Sequence, residues 1–223
     1  MRNILISVVA ILISPTIFAD KNKYYIESSI GNYDVDNVDT VVYSGTSSGI
    51  TFSNLQGNLK YDEDSAFSFE VGMQYSDNLR VGLAYTDLDV SFQSATVSGS
   101  ATNGTTTINA SATVTAADVS ALGLTWDNEA DVYMLNFYYD FININPNYTP
   151  FLSLGIGQAD ITNTNDDETA VSFAVGVNMD VSPSMYAGIK VMKTEIDGPT
   201  DKLGLSYDDI EVSSYSFQLG YKF

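Results

Sequence analysis

Histidine and cysteine carry out much of the catalytic and metal chemistry of proteins, and this 223-residue chain contains neither. The usual general base and the commonest metal ligand are therefore missing. Serine and aspartate nucleophiles are abundant, but without histidine no Ser-His pair can form. The sequence predicts a non-enzymatic protein with no catalytic residue, no cofactor and no metal site.

Carboxylates are the remaining candidate ligands, because 28 acidic residues oppose nine basic ones and the formal net charge is −19. Two acidic clusters, at residues 34–39 and 163–168, offer the oxygen ligands that calcium prefers. Neither has the spacing of a twelve-residue calcium loop, so solvated acidic loops are the favoured interpretation and cation binding is left open. An acidic, base-poor chain also argues against nucleic acid as a partner.

The first 19 residues differ in composition from everything that follows. Arg2 precedes an apolar run, which ends at Ile17, Phe18 and the small residue Ala19. This arrangement is typical of a secretory signal peptide that is removed before Asp20. The run is too short for a membrane anchor and has no stop-transfer flank. We therefore predict a signal peptide at residues 1–19 and one exported domain at residues 20–223.

After residue 20, apolar and polar residues alternate with the period of two that indicates β-strands. Eight such segments occur, at about residues 24–34, 66–76, 79–90, 130–142, 148–158, 169–180, 184–194 and 212–223. Short connections alternate with long ones of about 35–65, 91–129, 159–168 and 195–211. This alternation predicts an all-β, antiparallel up-and-down meander.

The polar face of these strands distinguishes a soluble barrel from a membrane barrel. It is rich in Gly, Ser and Ala, with glycines at positions 31, 72, 82, 155, 157, 176, 188 and 220. A solvent-facing surface has no reason to prefer glycine, which weakens strands. The crowded interior of an eight-stranded barrel does favour glycine, because it is only just wide enough for side chains. The pattern therefore predicts a transmembrane barrel with aromatic residues facing lipid.

Charged residues on this small-residue face are balanced in sign, although the whole chain is strongly acidic. Buried charges are tolerated when they are paired and hydrogen-bonded, so a balanced set fits a closed interior. The alternative is that six scattered charges happen to cancel. The predicted interior charge network, structural or gating in role, consists of Glu27, Glu70, Arg80, Asp140, Lys190 and Lys222.

Most of the acidic residues fall in the four long connections, which we expect to face the exterior. The second connection includes residues 91–116, which are almost entirely Ser, Thr, Ala, Gly and Asn around Asn103-Gly104, a strong hairpin signal. It predicts that the third strand continues above the membrane and turns there. The alternative is that residues 105–116 and 118–126 are two further barrel strands, which would make ten.

The segments YMLNFYYDF, TPFLSLGIG and the terminal YSFQLGYKF, together with the signal peptide, resemble the OmpA/OmpX-type superfamily of small outer-membrane β-barrels. The resemblance covers the whole mature chain. It implies a location in the outer membrane of a Gram-negative-type cell, in contact with membrane lipid and lipopolysaccharide. It also implies that Leu219, Tyr221 and Phe223 form the signal that such proteins present to the barrel-assembly machinery.

The resemblance is less informative about activity, because barrels of this fold carry many functions. The expected function is a non-enzymatic, monomeric barrel whose interior is largely plugged by polar and charged side chains. Its acidic loops would serve adhesion, contact with an extracellular partner or envelope integrity. The alternative is a narrow, porin-like channel for small solutes or ions.

Overall fold

The computed structural model describes residues 23–142, 144–145 and 147–223. The predicted signal peptide lies outside these residues and stays a prediction. Among the described residues, no α-helix has both the length and the apolarity needed to cross a membrane.

Eight antiparallel strands form a closed barrel, as the alternation of the sequence predicts. The barrel strands are β1 (Tyr24–Val35), β5 (Asp64–Ser76), β6 (Leu79–Val90), β9 (Asn128–Asp140), β10 (Tyr148–Ile161), β11 (Glu168–Ser182), β12 (Met185–Ile196) and β13 (Ile210–Lys222). The first strand, β1, pairs with the last, β13, from Tyr25 opposite Lys222 to Val35 opposite Val212. This pairing closes the barrel.

The connections divide the barrel into a short-turn end and a long-loop end. Residues 77–78, 141–147 and 183–184 join strands at the short-turn end. At the long-loop end the connections span residues 36–63, 91–127, 162–167 and 197–209. The even strand number and the alternating connections together bring both chain ends of the barrel to the short-turn end.

Two of the long connections form a second sheet, which we call the loop sheet. It contains β2 (Val38–Asp39), β3 (Tyr43–Ser47), β4 (Ile50–Tyr61), β7 (Phe92–Thr102) and β8 (Thr107–Thr115). The predicted hairpin at Asn103-Gly104 is confirmed, because β7 pairs with β8 around it and Gly104 has a φ of 87°. The ten-strand alternative is wrong: β8 lies in the loop sheet, and residues 116–121 form a short helix, α1 (Ala116–Ala121).

The loop sheet continues the wall of the barrel. Strands β5 and β6 pair within the barrel, and their continuations β4 and β7 pair beyond its rim. The amide of Asp62 donates a hydrogen bond to the carbonyl of Ser91 at 2.9 Å, next to the pair that Tyr61 forms with Phe92. One strand pair therefore runs almost without interruption from the short-turn end to the tip of the loop sheet.

The polarity of the barrel strands reverses along their length. In β6 the odd-numbered residues 79–85 are mainly apolar and face outward. Beyond Thr86 the outward residues Asp87 and Asp89 are acidic, whereas Leu88 and Val90 are buried inside. The same reversal occurs on β9 and β12. The membrane and soluble patterns, which the sequence presented as alternatives, thus follow one another on the same strands.

Glycines on the inner face allow close contact between neighbouring strands. At Gly157 on β10, an added methyl group would collide with the main-chain carbonyl of Tyr133 on β9 and with the sulfur of Met134. The main-chain carbonyl cannot move without breaking the sheet, so this position requires a residue without a Cβ.

Replacing Gly157 with alanine should lower the fraction of folded barrel substantially. Gly45→Ala in the loop sheet is the matched control, because nothing lies within 4 Å of a methyl group there. Urea titration in lipid vesicles, followed by the heat-modifiable mobility of the folded barrel on gels, measures both. Equal unfolding midpoints for the two variants would contradict the close contact.

Candidate functional site

An ion pair between Arg80 and Asp140 occupies the interior near the short-turn end. The Arg80 guanidinium donates from Nε to Asp140 Oδ2 at 2.7 Å and from Nη2 to Oδ1 at 3.0 Å. It also lies 4.3 Å from the ring centre of Tyr138 and within 5.4 Å of the ring centres of Tyr25 and Phe151. This bidentate, aromatic-lined geometry suits arginine and not lysine.

Glu70 is a buried carboxylate that neutral donors surround. Tyr25 donates its hydroxyl proton to Oε1 at 2.6 Å, while Asn136 and Tyr138 donate to Oε2 at 2.8 and 2.6 Å. Three hydrogen bonds to the charged form stabilise a carboxylate without a paired base. The donors come from β1 and β9, so Glu70 on β5 links strands that are separated across the barrel.

Glu27 and Lys190 line one cavity together with Glu70. Glu27 is directly opposite Glu70 on the neighbouring strand and accepts a hydrogen bond from Tyr186 at 2.7 Å. This cavity has a volume of about 20 Å³ and is also lined by serine, threonine, asparagine, alanine and methionine side chains. A cavity of this size with several polar groups in its lining has room for about one water molecule.

Lys222 lies apart from the other five residues of the predicted network. It pairs with Asp180 at 2.9 Å, with about a third of its side chain exposed. Both residues line a cavity of about 360 Å³ that is open at the short-turn end. The enclosed interior therefore holds the three predicted acids and two of the predicted bases, Arg80 and Lys190. The neutral hydrogen-bond donors around Glu70 stabilise the one carboxylate that exceeds the bases in number.

An apolar cluster fills the interior at the long-loop end, where the sequence predicted polar and charged side chains. Its members are buried and come from all eight barrel strands and β2: Tyr33, Val35, Val38, Ala66, Leu88, Val90, Ala130, Val132, Met134, Ala159, Ala170, Ile196 and Val212. Leu59, Tyr61 and Tyr207 from the long connections pack on top of it. The expectation of a polar interior is therefore wrong for this half of the barrel.

The first and fourth long connections join above this cluster. The amide of Val41 donates to the carbonyl of Ser206 at 3.1 Å, and the amide of Asp208 donates to the carbonyl of Asp39 at 2.8 Å. Burial raises the pKa of Tyr207, with the Asp201 carboxylate as a second cause. These contacts hold a covering layer over the barrel at its long-loop end.

A family model described as "outer membrane protein beta-barrel domain" matches residues 4–223. The chain belongs to this outer-membrane β-barrel family. Its strands therefore cross the outer membrane, and the apolar outer surface of the barrel contacts membrane lipid. By sequence alone, no curated protein is significantly similar to the chain.

Solved structures of other outer-membrane proteins have a similar fold at low sequence identity. AlkL, determined in DMPC bilayers, is 17% identical, with 94% of this chain and 95% of AlkL covered and a TM-score of 0.51. Neisserial surface protein A is 12% identical, with 90% and 97% covered and a TM-score of 0.49. The outer membrane protease OmpT from Escherichia coli is 8% identical, with 91% and 97% covered and a TM-score of 0.46. These identities show the fold alone.

The three residues of the predicted assembly signal lie on or directly after β13 and face outward. Leu219 and Tyr221 are almost half exposed, toward lipid. Phe223 and Tyr24 exchange two main-chain hydrogen bonds, of 2.9 and 3.2 Å, and their ring centres are 6.2 Å apart. Phe223 thus extends the seam at which the barrel closes.

The acidic clusters of residues 34–39 and 163–168 do not bring three carboxylates together within the described part of the chain. A different group does: oxygens of Asp87, Asp89 and Glu129 lie within 4.8 Å of one another on the outer surface of β6 and β9. All three residues are exposed. They belong to an acidic rim just above the apolar band, where Asp131 lies beside Asp87 and Asp160.

The buried tyrosines and the apolar cluster were not predicted from the sequence. The cluster had a signal in the segment TDLDV, Thr86 to Val90, where acids take the outward positions and apolar residues the inward ones. The buried tyrosines had no sequence signal of their own, because an aromatic residue near a strand end is equally typical of the lipid interface. Only the pairing of strands shows that the Tyr25 and Tyr138 hydroxyls converge on Glu70.

Removing one partner of the Arg80–Asp140 pair should destabilise the barrel strongly. Arg80→Met leaves a buried carboxylate unpaired, so we expect a loss of about 3–5 kcal/mol, most of which the double variant Arg80→Met/Asp140→Leu should recover. Urea unfolding in lipid vesicles measures the free energies.

Lys193→Met is the control for loss of a cation, because Lys193 pairs with Glu211 at the barrel surface with 55% of its side chain exposed. Its loss should change the free energy of unfolding far less than Arg80→Met does, because exposed ion pairs contribute little to stability. A double variant as unstable as Arg80→Met would mean that burial of an unpaired charge is not the cause.

Proposed function

We propose that the protein is a non-enzymatic surface protein of the outer membrane, monomeric within its own membrane, in which a closed barrel supports the loop sheet outside the cell. The observation that carries this proposal is the filling of the barrel interior. Arg80, Asp140 and Glu70 lie in one half with their aromatic neighbours, and the apolar cluster lies in the other. We infer that these two layers together interrupt the water path through the barrel.

The orientation follows from the family, since outer-membrane barrels keep short turns in the periplasm and long loops outside. The loop sheet therefore faces the exterior. Its acids lie at the base, and no charged residue occurs between Asp39 and Lys60 or between Asp89 and Asp118. The display surface is thus an uncharged sheet on an acidic rim, suited to contact with an extracellular partner. Lipopolysaccharide phosphates could meet this rim only through bridging divalent cations.

A narrow channel is the second candidate, and the two interior cavities favour it. The cavity of about 20 Å³ beside Lys190 and the cavity of about 360 Å³ at the periplasmic end lie on either side of the Arg80 layer. If this layer rearranged, the two cavities would join. The apolar cluster would still separate them from the exterior.

The reconstituted protein should give no large, stable openings in a planar bilayer. Because the proposed barrier lies inside the barrel, a variant with a short Gly-Ser linker in place of residues 93–125 should also remain closed. A general porin in the same lipid is the positive control. Large, stable openings of the full chain would overturn the closed-barrel proposal in favour of the channel.

We also propose that the ring of Phe223 acts during assembly in the cell, as a signal to the barrel-assembly machinery together with Leu219 and Tyr221. This role is separable from barrel closure, since the hydrogen bonds with Tyr24 are made by the main chain. A substitution of the side chain keeps those bonds and removes the ring.

Phe223→Ala should lower the amount of folded barrel in the outer membrane several-fold but leave refolding into lipid vesicles almost unchanged. Heat-modifiable gel mobility reports the folded fraction in both settings. Tyr215→Ala, another outward aromatic of β13, is the control for loss of a lipid-facing ring. Equal losses in cells and in vesicles would assign Phe223 a structural role only.

A further inference from the structure

Strand β8 forms an open edge of the loop sheet. All nine of its residues, Thr107–Thr115, are exposed. Within the described part of the chain, β7 is its one hydrogen-bonded neighbour. The opposite side of the sheet is different, because β2 and β3 both pair along the outer edge of β4. The open edge therefore presents a row of main-chain donors and acceptors that another strand can pair with.

This edge lacks the features that normally protect a protein against edge-to-edge pairing. Natural edge strands carry charges or proline, or are short or bulged. The segment TINASATVT of β8 contains neither charge nor proline, and its pairing with β7 is regular over its whole length. The chain has 28 acidic residues, and none of them lies on this strand. The absence of protection at this edge is consistent with a pairing surface.

The sequence of β8 is complementary to itself in the antiparallel direction. When two copies are centred on Ser111, polar residues lie opposite polar residues and apolar residues opposite apolar residues of similar size. Such matched cross-strand pairs stabilise sheets. The pairs are Thr107 with Thr115, Ile108 with Val114, Asn109 with Thr113, Ala110 with Ala112, and Ser111 with itself.

We propose that β8 pairs antiparallel with β8 of a second copy of this chain, so that two loop sheets join into one continuous sheet. The inference rests on the proposed function, in which the loop sheet faces the exterior, and it names the partner. The contact is isologous, with its two-fold axis through the Ser111 pair.

The geometry places the two copies in opposing membranes. The two-fold axis of an antiparallel strand pair is perpendicular to the sheet. Because the loop sheet continues the barrel wall through β4 and β7, its normal lies close to the membrane plane. Rotation about such an axis reverses the outward direction, so the second barrel points toward the first. The contact therefore joins two cells and not two barrels within one membrane.

The net charge of −19 per chain does not prevent this approach. The acids lie at the base of the loop sheet, and the 11 residues of β7 lead away from it. At about 3.3 Å per residue β7 spans about 36 Å, and salt screens charges over about 8 Å under physiological conditions. The acidic rims of the two membranes are thus separated by several screening lengths.

Charge substitutions at Ser111 test the proposal, because Ser111 of one chain would lie directly opposite Ser111 of the second chain. Vesicles carrying full-length Ser111→Lys, or Ser111→Glu, should each cluster at least about tenfold less than wild-type vesicles, since like charges meet at the axis. Mixing the two populations should restore clustering. Light scattering measures vesicle clustering, and gel mobility verifies that each variant is folded.

Thr105→Lys and Thr105→Glu are the matched controls, because Thr105 is exposed at the hairpin tip and lies outside β8. Both should cluster like wild type. Clustering of Ser111→Lys vesicles at the wild-type level, or no recovery on mixing, would overturn the pairing of β8 strands.

A cysteine substitution tests the register and the membrane arrangement. The chain contains no cysteine, so Ser111→Cys introduces a single thiol. Antiparallel pairing at the two-fold axis brings the two thiols within disulfide distance, and oxidation should give a covalent dimer that links separate vesicles. A dimer confined to single vesicles would overturn the opposing arrangement. If the vesicles neither cluster nor cross-link and the barrel gives no channel openings, the pairing of β8 strands is rejected and the proposed function stands.

Discussion

The structure depends on one constraint: every main-chain hydrogen-bonding group of a lipid-exposed strand needs a partner within the protein. Pairing of β1 with β13 satisfies it, because the closed sheet has no edge in the membrane. Closure also limits the width of the interior, which in an eight-stranded barrel is just filled by side chains. The close contact at Gly157 and the packing of Tyr25 and Tyr138 around Arg80 both follow from that narrow width.

The same strands pass through two environments. In the lipid region the outer surface is apolar, and the buried charges inside are compensated by one bidentate ion pair and by neutral donors around Glu70. Above that region water surrounds the barrel, so acids face outward and the apolar cluster lies inside. The upper part is stabilised as a soluble protein is, by burial of apolar surface. The two halves of the interior are therefore stabilised by different physical means.

The loop sheet extends the barrel wall beyond its long-loop rim. Because β4 and β7 continue β5 and β6, the sheet needs no flexible linker, and its open edge at β8 has a fixed direction. The charge distribution supports this division, with acids around the rim and an uncharged surface beyond it. The proposed barrier within the barrel and the proposed contact surface beyond its rim can thus function independently.

The sequence by itself determined the eight strands, their antiparallel order and the hairpin at Asn103-Gly104, because alternation and turn chemistry are local properties. It also identified Glu27, Glu70, Arg80 and Asp140 as inward residues, since strand phase decides the face. Only the tertiary structure decided which side chains meet. The partners of Glu70 lie 45 to 68 residues away in the chain, and strand periodicity does not specify such contacts. Likewise the apolar cluster and the open edge of β8 depend on which strands become neighbours.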